Sequence, residues 1–286
     1  MIILTGATGT IGSALMGRLS QDEVRVRALA HSGAGRTSIE SHGLEAVAGD
    51  FDQPETLVSA FAGGDRLFLL SPPHPNQVER EKAAIDAARG AGVSHVVALS
   101  VMGADRSSPS AFARWHADID AHLIDSGLEY TILRPAGFMQ THLWPMETAR
   151  SEGRWYGMTG DGAAAFIDAE DIAAAAAAAL TGATDGRSVV ELTGPAAITM
   201  PQAAAELAEV IGRPVTYVDV PAEDYRSNLG RVGIPDWLAD AIVALYRAIR
   251  AGHAVTVTDG VQRLTGLPAR GYRGFAEAHK SDFVDV

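Results

Sequence analysis

The sequence contains no cysteine, which excludes disulfides, thiolate metal sites and a cysteine nucleophile together. The same absence fits a reducing compartment, and a cytoplasmic protein is expected. No stretch approaches the roughly 20 continuous apolar residues of a membrane helix. The nearest, Ala173 to Leu180, is preceded by Asp168, Glu170 and Asp171 and reads as a buried helix. The opening run MIILTGATG has no basic leader and too short an apolar run for a signal peptide. Positive charge is scarce: 23 Lys and Arg stand against 35 Asp and Glu, a formal net charge of -12. Such a surface repels phosphate backbones, so nucleic acid is not an expected partner, and neither is a membrane. A local basic pocket for one phosphate group remains compatible. There is no GxSxG elbow, HExxH pair or Walker A lysine, so serine hydrolase, zinc peptidase and P-loop NTPase chemistry have no support.

What is present is alternation. The 286 residues are 47% hydrophobic and 20% charged, enough for a large core. Short apolar runs at Met1 to Thr5, Val24 to Ala30, Leu44 to Ala48, Arg66 to Leu70, His95 to Ser100 and Glu129 to Leu133 predict six strands. Between them lie helical spacings. Ile11, Leu15 and Leu19 recur on one face, Gln77 to Ala91 is helical, and Ala111 to Ser126 carries Phe112, Trp115, Ile119 and Leu123 on one face. Asp52, with Pro54 and Glu55 behind it, has the form of a capped helix start. The order predicts an α/β fold with a doubly wound parallel Rossmann sheet.

After Pro135 the pattern changes. Phe138 to Gly160 is rich in aromatics and Met, while a helix over Phe166 to Leu180 and a strand over Ser188 to Leu192 return to the sheet. From Pro201 the chain reads as mostly helical, broken at Gly212-Arg213-Pro214, Gly233-Ile234-Pro235 and Gly266-Leu267-Pro268. The expected division is a nucleotide-binding domain over 1–137 and 161–195, with a smaller substrate-side domain over 138–160 and 196–286.

The segment Thr5-Gly6-Ala7-Thr8-Gly9-Thr10-Ile11-Gly12 falls between a strand and a helix, where a dinucleotide loop belongs. Gly6 allows the tight turn, Gly9 lets the backbone approach a pyrophosphate, and Gly12 lets the helix pack closely. Thr8, Thr10 and Ile11 complete the loop, and the helix N-terminus offers free N–H groups to the phosphates. At the end of the second strand an acid would bind the adenosine ribose hydroxyls. Here stand Ala30-His31-Ser32 with Arg36 behind, and no acid before Glu40. NADPH is therefore expected over NADH, with His31, Ser32 and Arg36 near the extra phosphate. Alternatively, Arg36 is a solvated loop residue.

Three segments resemble the NmrA-like, atypical short-chain dehydrogenase/reductase family: the loop TGATGTIG, the stretch GDFDQPETL from Gly49 to Leu57, and SGLEYTILRPAGFM on the sixth strand. FIDAEDIAAAA is similar to that family's helix after the substrate loop, and the resemblance runs from residue 1 to about residue 270. It implies that Asp50 and Phe51 lie by the adenine. It also implies that Ser71 and Pro72 follow the fourth strand beside the cofactor, and that Ser100 lies near the nicotinamide. Pro135, ending the sixth strand, joins the same cofactor-side set. The alternatives are strand termination for Ser71 and Ser100, and a core aromatic for Phe51.

Ordinary short-chain dehydrogenases use Tyr-x-x-x-Lys, in which lysine lowers the tyrosine pKa. Here the matching spacing is Phe112-Ala-Arg-Trp-His116. Phenylalanine has no hydroxyl, and His116 stands at the lysine position. Histidine titrates near neutrality, so His116 is the candidate for donating or organising a proton. The alternative is a surface histidine paired with Asp120 one turn on. Asp118 and His122 add no third metal ligand to either i,i+4 pair, so no metal is expected.

Phe138, Met139, His142, Trp144, Trp155 and Tyr156 follow the sixth strand, at the sheet edge where ligands sit in open α/β folds. They suit a flat apolar substrate, or else they join two domains. The function expected is an NADPH-dependent reductase passing hydride to a planar apolar acceptor such as a quinone, imine or enone. The alternative is a non-catalytic NADP(H)-sensing regulator with a protein partner. The oligomeric state is left open.

Overall fold

A computed structural model describes residues 1–21, 24–143, 146–182 and 186–284. Its first half alternates strictly: β1 (Ile2–Leu4), α1 (Thr10–Leu19), β2 (Val26–Ala30), α2 (Gly33–Ser41), β3 (Glu45–Ala48), α3 (Glu55–Phe61), β4 (Arg66–Leu69), α4 (Gln77–Gly90), β5 (His95–Leu99), α5 (Ala111–Asp125) and β6 (Glu129–Pro135). A short 3₁₀ turn (Met139–Leu143), α6 (Met146–Glu152), β7 (Arg154–Gly157) and β8 (Ala163–Ala164) precede α7 (Ala169–Thr181) and β9 (Ser188–Leu192). Then come β10 (Ile198–Thr199), α8 (Met200–Ile211), β11 (Thr216–Asp219), α9 (Ala222–Arg231), α10 (Asp236–Arg250), α11 (Gly260–Thr265), α12 (Tyr272–Ala278) and α13 (Lys280–Phe283).

Seven strands form one parallel sheet in the order β3-β2-β1-β4-β5-β6-β9. Period-two alternation distributes its side chains to two cores. Ile2, Leu4, Phe68, Val97 and Leu99 face α1 and α7, while Ile3, Leu67, Leu69, Val96 and Ala98 face α3, α4 and α5. Strands covered on both faces read as continuous apolar runs, which is why they were visible in the sequence. The chain leaves β1 toward β2 and β3, then returns to the other side of β1 with β4. The resulting switch point between β1 and β4 is where ligands bind in open sheets.

A third core, separate from these two, gathers Met139, Trp155, Phe166, Leu207 and Phe275. Around it β7 pairs with β11 in parallel and β8 with β10 antiparallel. These short strands were not expected from the sequence. Thr199 caps α8 in a reciprocal box with Gln202. The cores interleave around the expected boundaries: Phe138 and Val261 pack with the core beneath the main sheet, whereas Ala164 and Phe166 join the smaller one.

Asp52 does not cap α3. That helix begins after Pro54 with no side-chain cap, and the Asp52 carboxylate pairs with Arg80 of α4 instead. Among the described residues no helix is long and apolar enough to cross a membrane.

Candidate active site at the sheet switch point

Thr5, fully buried, fixes the loop to the neighbouring strand. Its hydroxyl donates to the Leu70 carbonyl at 2.9 Å and accepts from the Leu70 N–H at 2.8 Å. The glycine loop and the Leu70-Ser71 segment are thereby held side by side. Gly6 has φ of 62°, and a Cβ there would lie 2.8 Å from the Leu70 carbonyl oxygen. At Gly12 a Cβ would fall 2.1 Å from the Gly6 carbonyl oxygen, so α1 packs on the loop itself.

Gly9 differs from both. Its φ is -81°, and an added Cβ would meet only the Gly6 oxygen at 3.4 Å. The chain's own packing makes no strong demand for glycine there. Thr8, Gly9 and Thr10 are exposed, Gly9 caps α1 with no side-chain partner, and the first turn carries no acid. The free N–H groups and positive end of α1 face outward, which fits the pyrophosphate of a dinucleotide.

At the adenosine side, His31 is exposed and its Nδ1 lies 3.8 Å from an Asp50 carboxylate oxygen. Folding thus brings an acid close to the end of β2 that sequence distance concealed. Ser32 caps α2 by accepting from the Gly35 N–H at 3.1 Å. Arg36 donates to the Ala46 carbonyl at 3.1 Å and to Glu40 at 3.3 Å, leaving its half-exposed guanidinium on this rim. Asp50 also organises the turn into α3, accepting from the Asp52 N–H at 2.9 Å. Phe51 is half-buried and packs against the core beneath α3 and α4.

At the other end, the ends of β4, β5 and β6 carry Ser71, Ser100 and Pro135. Both hydroxyls turn inward. Ser71 donates to Glu81 of α4 at 2.6 Å, and Ser100 donates to Asp120 of α5 at 3.0 Å. Gln77 donates to the same Glu81 oxygen at 3.0 Å and approaches His116 Nε2 at 3.4 Å. Arg134 of β6 grips one Asp120 oxygen with two N–H groups, at 3.0 and 2.8 Å. Among the described residues, Glu81 Oε2, Gln77 Oε1, His116 Nδ1 and Asp120 Oδ1 are buried without a hydrogen-bond partner. Two buried polar groups, Ser71–Glu81–Gln77–His116 and Ser100–Asp120–Arg134, therefore lie beneath the candidate nicotinamide edge.

His116 is neither at the surface nor paired with Asp120. It is buried, and desolvation, aided by Arg134, holds its pKa down at about 4. It is therefore neutral at physiological pH. The buried face of α5 is Ala113, His116, Ile119, Asp120 and Leu123. Phe112 and Trp115, expected on that face, lie half-exposed beside it. Their rings meet edge-on at 5.6 Å, and Trp115 reaches Trp237 of α10 at 5.9 Å. Asp118 and His122 pair with Arg106 and Asp86 respectively.

The aromatic segment after β6 divides. Phe138 packs on the main core, while Met139 and Trp155 are interior to the smaller one. His142 is also buried, its ring edge-on to Phe166 at 4.5 Å and to Trp155 at 5.1 Å. Burial pushes its pKa down to about 3. Met139, His142 and Trp155 are thus largely core, because their apolar surface is used to join α8 and α12 to the 3₁₀ turn. His142, Trp155 and Tyr156 also line a small cavity with Thr141, Phe166, Tyr217, Tyr225 and Tyr246. The Tyr156 hydroxyl donates to Glu152 at 3.2 Å. Trp144 lies outside the described residues.

Sequence reasoning missed Glu81, Gln77 and Trp237. A signal existed for the first two. They stand four apart on the same face as Ala84, Ile85 and Ala88, an acid and an amide within an apolar stripe.

A family model described as NAD(P)H-binding matches residues 6–183, more than half of the sequence. The chain belongs to this NAD(P)H-binding family. Over 283 residues it is 36% identical to NAD(P)H azoreductase of Xenophilus azovorans, covering 99% of each chain. Among solved structures it resembles the NADPH complex of quinone oxidoreductase QOR2 of Escherichia coli, with TM-score 0.88, 30% identity, and 98% and 100% of the two chains covered. It also resembles triphenylmethane reductase of Citrobacter sp. complexed with NADP(H), with TM-score 0.86, 27% identity, and 97% and 99% covered. The likeness to NmrA is one of fold, with TM-score 0.79 at 19% identity. The chain is an NAD(P)H-dependent oxidoreductase whose α5 holds Phe112 and His116 in place of a Tyr-x-x-x-Lys pair.

Proposed function

We propose that this protein is an NADPH-dependent reductase that delivers hydride to a planar, apolar acceptor of the quinone, imine, enone or azo type. The observation that carries the reading is the aromatic bridge of Phe112, Trp115 and Trp237. Two of its rings stand in the first turns of α5, just beyond the loop leaving the ligand-binding edge of β5, and the third opens α10. Half-exposed rings from two parts of the chain, meeting only edge-on or tilted, leave faces on which a flat acceptor can stack. The named relatives, which are azo, quinone and triphenylmethane reductases, support the same class.

When bound, NADPH supplies the hydride, and the protein supplies orientation and exclusion of water. The residues assigned to hold it are the Thr8 to Gly12 backbone for the pyrophosphate, with His31, Ser32 and Arg36 for the 2′-phosphate. Asp50 and Phe51 flank the adenine, while Ser71, Pro72, Ser100 and Pro135 form the floor under the nicotinamide. The regulatory alternative keeps only the missing tyrosine and lysine in its favour.

The test is NADPH consumption by the purified protein against a panel of quinones, azo dyes, imines and enones. Turnover of a flat acceptor supports the reading. Binding of NADPH without turnover of any panel member contradicts it.

A further inference from the structure

Reduction of a neutral quinone or azo bond consumes one hydride and one proton. The helix that normally offers the proton offers none here: Phe112 has no hydroxyl, and His116 is buried and neutral. One acid does lie behind the ligand edge. Glu81 is 1% exposed, and its carboxyl touches only neutral donors, Ser71 at 2.6 Å and Gln77 at 3.0 Å. Its second oxygen is buried and unpartnered, and among the described residues it has no cationic partner. A carboxylate in that position would be desolvated without compensation, whereas a carboxylic acid would not.

The surrounding groups agree. From α5 it is faced by neutral His116 and by Asp120, whose charge acts to keep Glu81 protonated. From β6, Arg134 is committed to Asp120. Arg80, next to Glu81 on α4, turns outward to Asp52. The ionisable side chain of α3, Glu55, is exposed, and that of β4, Arg66, bonds the end of α7. Burial accordingly holds the Glu81 pKa up at about 7. Ser71, its short-range partner, follows β4 directly and lies beside the glycine loop through the Thr5–Leu70 bonds.

We propose that Glu81 is the proton reserve of the site and that Ser71 is the group through which its proton reaches the acceptor. The inference rests on the reductase reading. In the step, the acceptor gains two electrons and one hydrogen as hydride from the cofactor. With the acid proton on the Glu81 oxygen that lies 2.6 Å from Ser71, this contact runs from Glu81 to the Ser71 oxygen and the serine hydroxyl is free to turn to the acceptor. The acceptor heteroatom then takes the Ser71 hydroxyl proton as the Ser71 oxygen takes the Glu81 proton. Oxidised cofactor and reduced acceptor leave, and the Glu81 carboxylate, held by Ser71 and Gln77, regains a proton from water. Glu81 acts through Ser71 and is a positioning residue; Ser71 is the catalytic donor.

The experiment has two arms. In the first, the protein without cofactor is titrated by infrared difference spectroscopy, wild type against Glu81→Gln. The expected result is a carboxylic-acid carbonyl band that disappears with a midpoint near 7 and is absent from the variant. A Glu81 already ionised at pH 5 overturns the proposal. In the second, hydride transfer is followed with a quinone, which needs a proton, and with a triphenylmethane cation, which takes hydride alone. Glu81→Gln and Ser71→Ala are each expected to slow the quinone on the order of 10²-fold below pH 7 and to flatten its pH profile. The cation should be slowed far less, and the double variant should be no worse than either single one. Equal loss on both acceptors, or no loss on the quinone, overturns the relay. If wild type reduces neither acceptor, the reductase reading fails, and the relay falls with it while the infrared arm still reports whether Glu81 holds its proton.

Discussion

Trp115 of α5 and Trp237 of α10 stand with ring centroids 5.9 Å apart and planes inclined by 48°. The contact joins the second turn of a sheet-side helix to the first turn of a helix in the C-terminal third, and neither ring is buried. Aromatic pairs contribute roughly 0.5–1.5 kcal/mol beyond burial. If a flat acceptor stacks here, Trp237→Ala should raise its KM about fivefold, close to 1 kcal/mol, with kcat nearly unchanged. Steady-state kinetics with an azo dye check this, and an unchanged KM would remove Trp237 from substrate binding.

Gly9 and Gly12 should separate function from folding. Gly12→Ala forces a Cβ to 2.1 Å from the Gly6 oxygen and should destabilise by about 1–3 kcal/mol. Gly9→Ala meets nothing closer than 3.4 Å and should melt like wild type while losing NADPH affinity. Thermal melts alongside cofactor titration decide the matter, and equal melting losses in both would contradict the division.

Arg36 is anchored by the Ala46 carbonyl with its guanidinium still half-exposed. Arg36→Ala should therefore cost NADPH about tenfold, roughly 1.4 kcal/mol, and leave NADH little changed. Calorimetry with both cofactors measures it. Equal losses for the two would mean that Arg36 acts only through the fold.

Among the buried groups, Glu81, His116 and His142 are shifted furthest within the ordinary pH range, and they set opposing pH dependences of stability. Glu81 is raised from 4.5 to about 7, so the folded state binds the extra proton and this group lowers stability as pH rises through that window. The full effect is on the order of 3 kcal/mol. His116 and His142 are depressed from 6.5 to about 4 and about 3, so the unfolded state binds more protons and their contribution is lost as pH falls below 6.5. Between 4.5 and 7 Glu81 offsets part of the rise in stability that the two histidines cause, and the three together level off near pH 7. Glu81→Gln removes the opposing group, so stability should climb more steeply from pH 5 to 7 in the variant than in wild type. Denaturant titrations across pH provide the check, and an unchanged slope in the variant would be the contrary result.

The sheet was legible because its central strands β1, β4 and β5 are buried on both faces and their runs are largely apolar. Ser188–Leu192 was located to the residue. The glycine loop was legible because its spacing and its place between β1 and α1 are local properties. The buried polar groups were not, because their meaning is non-local. Asp120 is understandable as a buried acid only once Arg134, on the next strand, lies opposite it. His116 looked exposed because helical periodicity was assigned to Phe112 and Trp115, large rings that lie at the flank of the buried stripe. Asp50 looked remote from β2 because nineteen residues, with a helix and a strand among them, intervene before folding brings it within 3.8 Å of His31. The aromatics after β6 could be read for composition but not for direction, and most of their surface serves the smaller core.

The most direct test is to mix the purified protein with NADPH and one flat acceptor, a quinone or an azo dye, and follow both absorbances together. The account predicts that NADPH binds more tightly than NADH and is oxidised one-for-one with acceptor reduction. Failure to bind either cofactor, or tight binding with no oxidation by any flat acceptor, would contradict it.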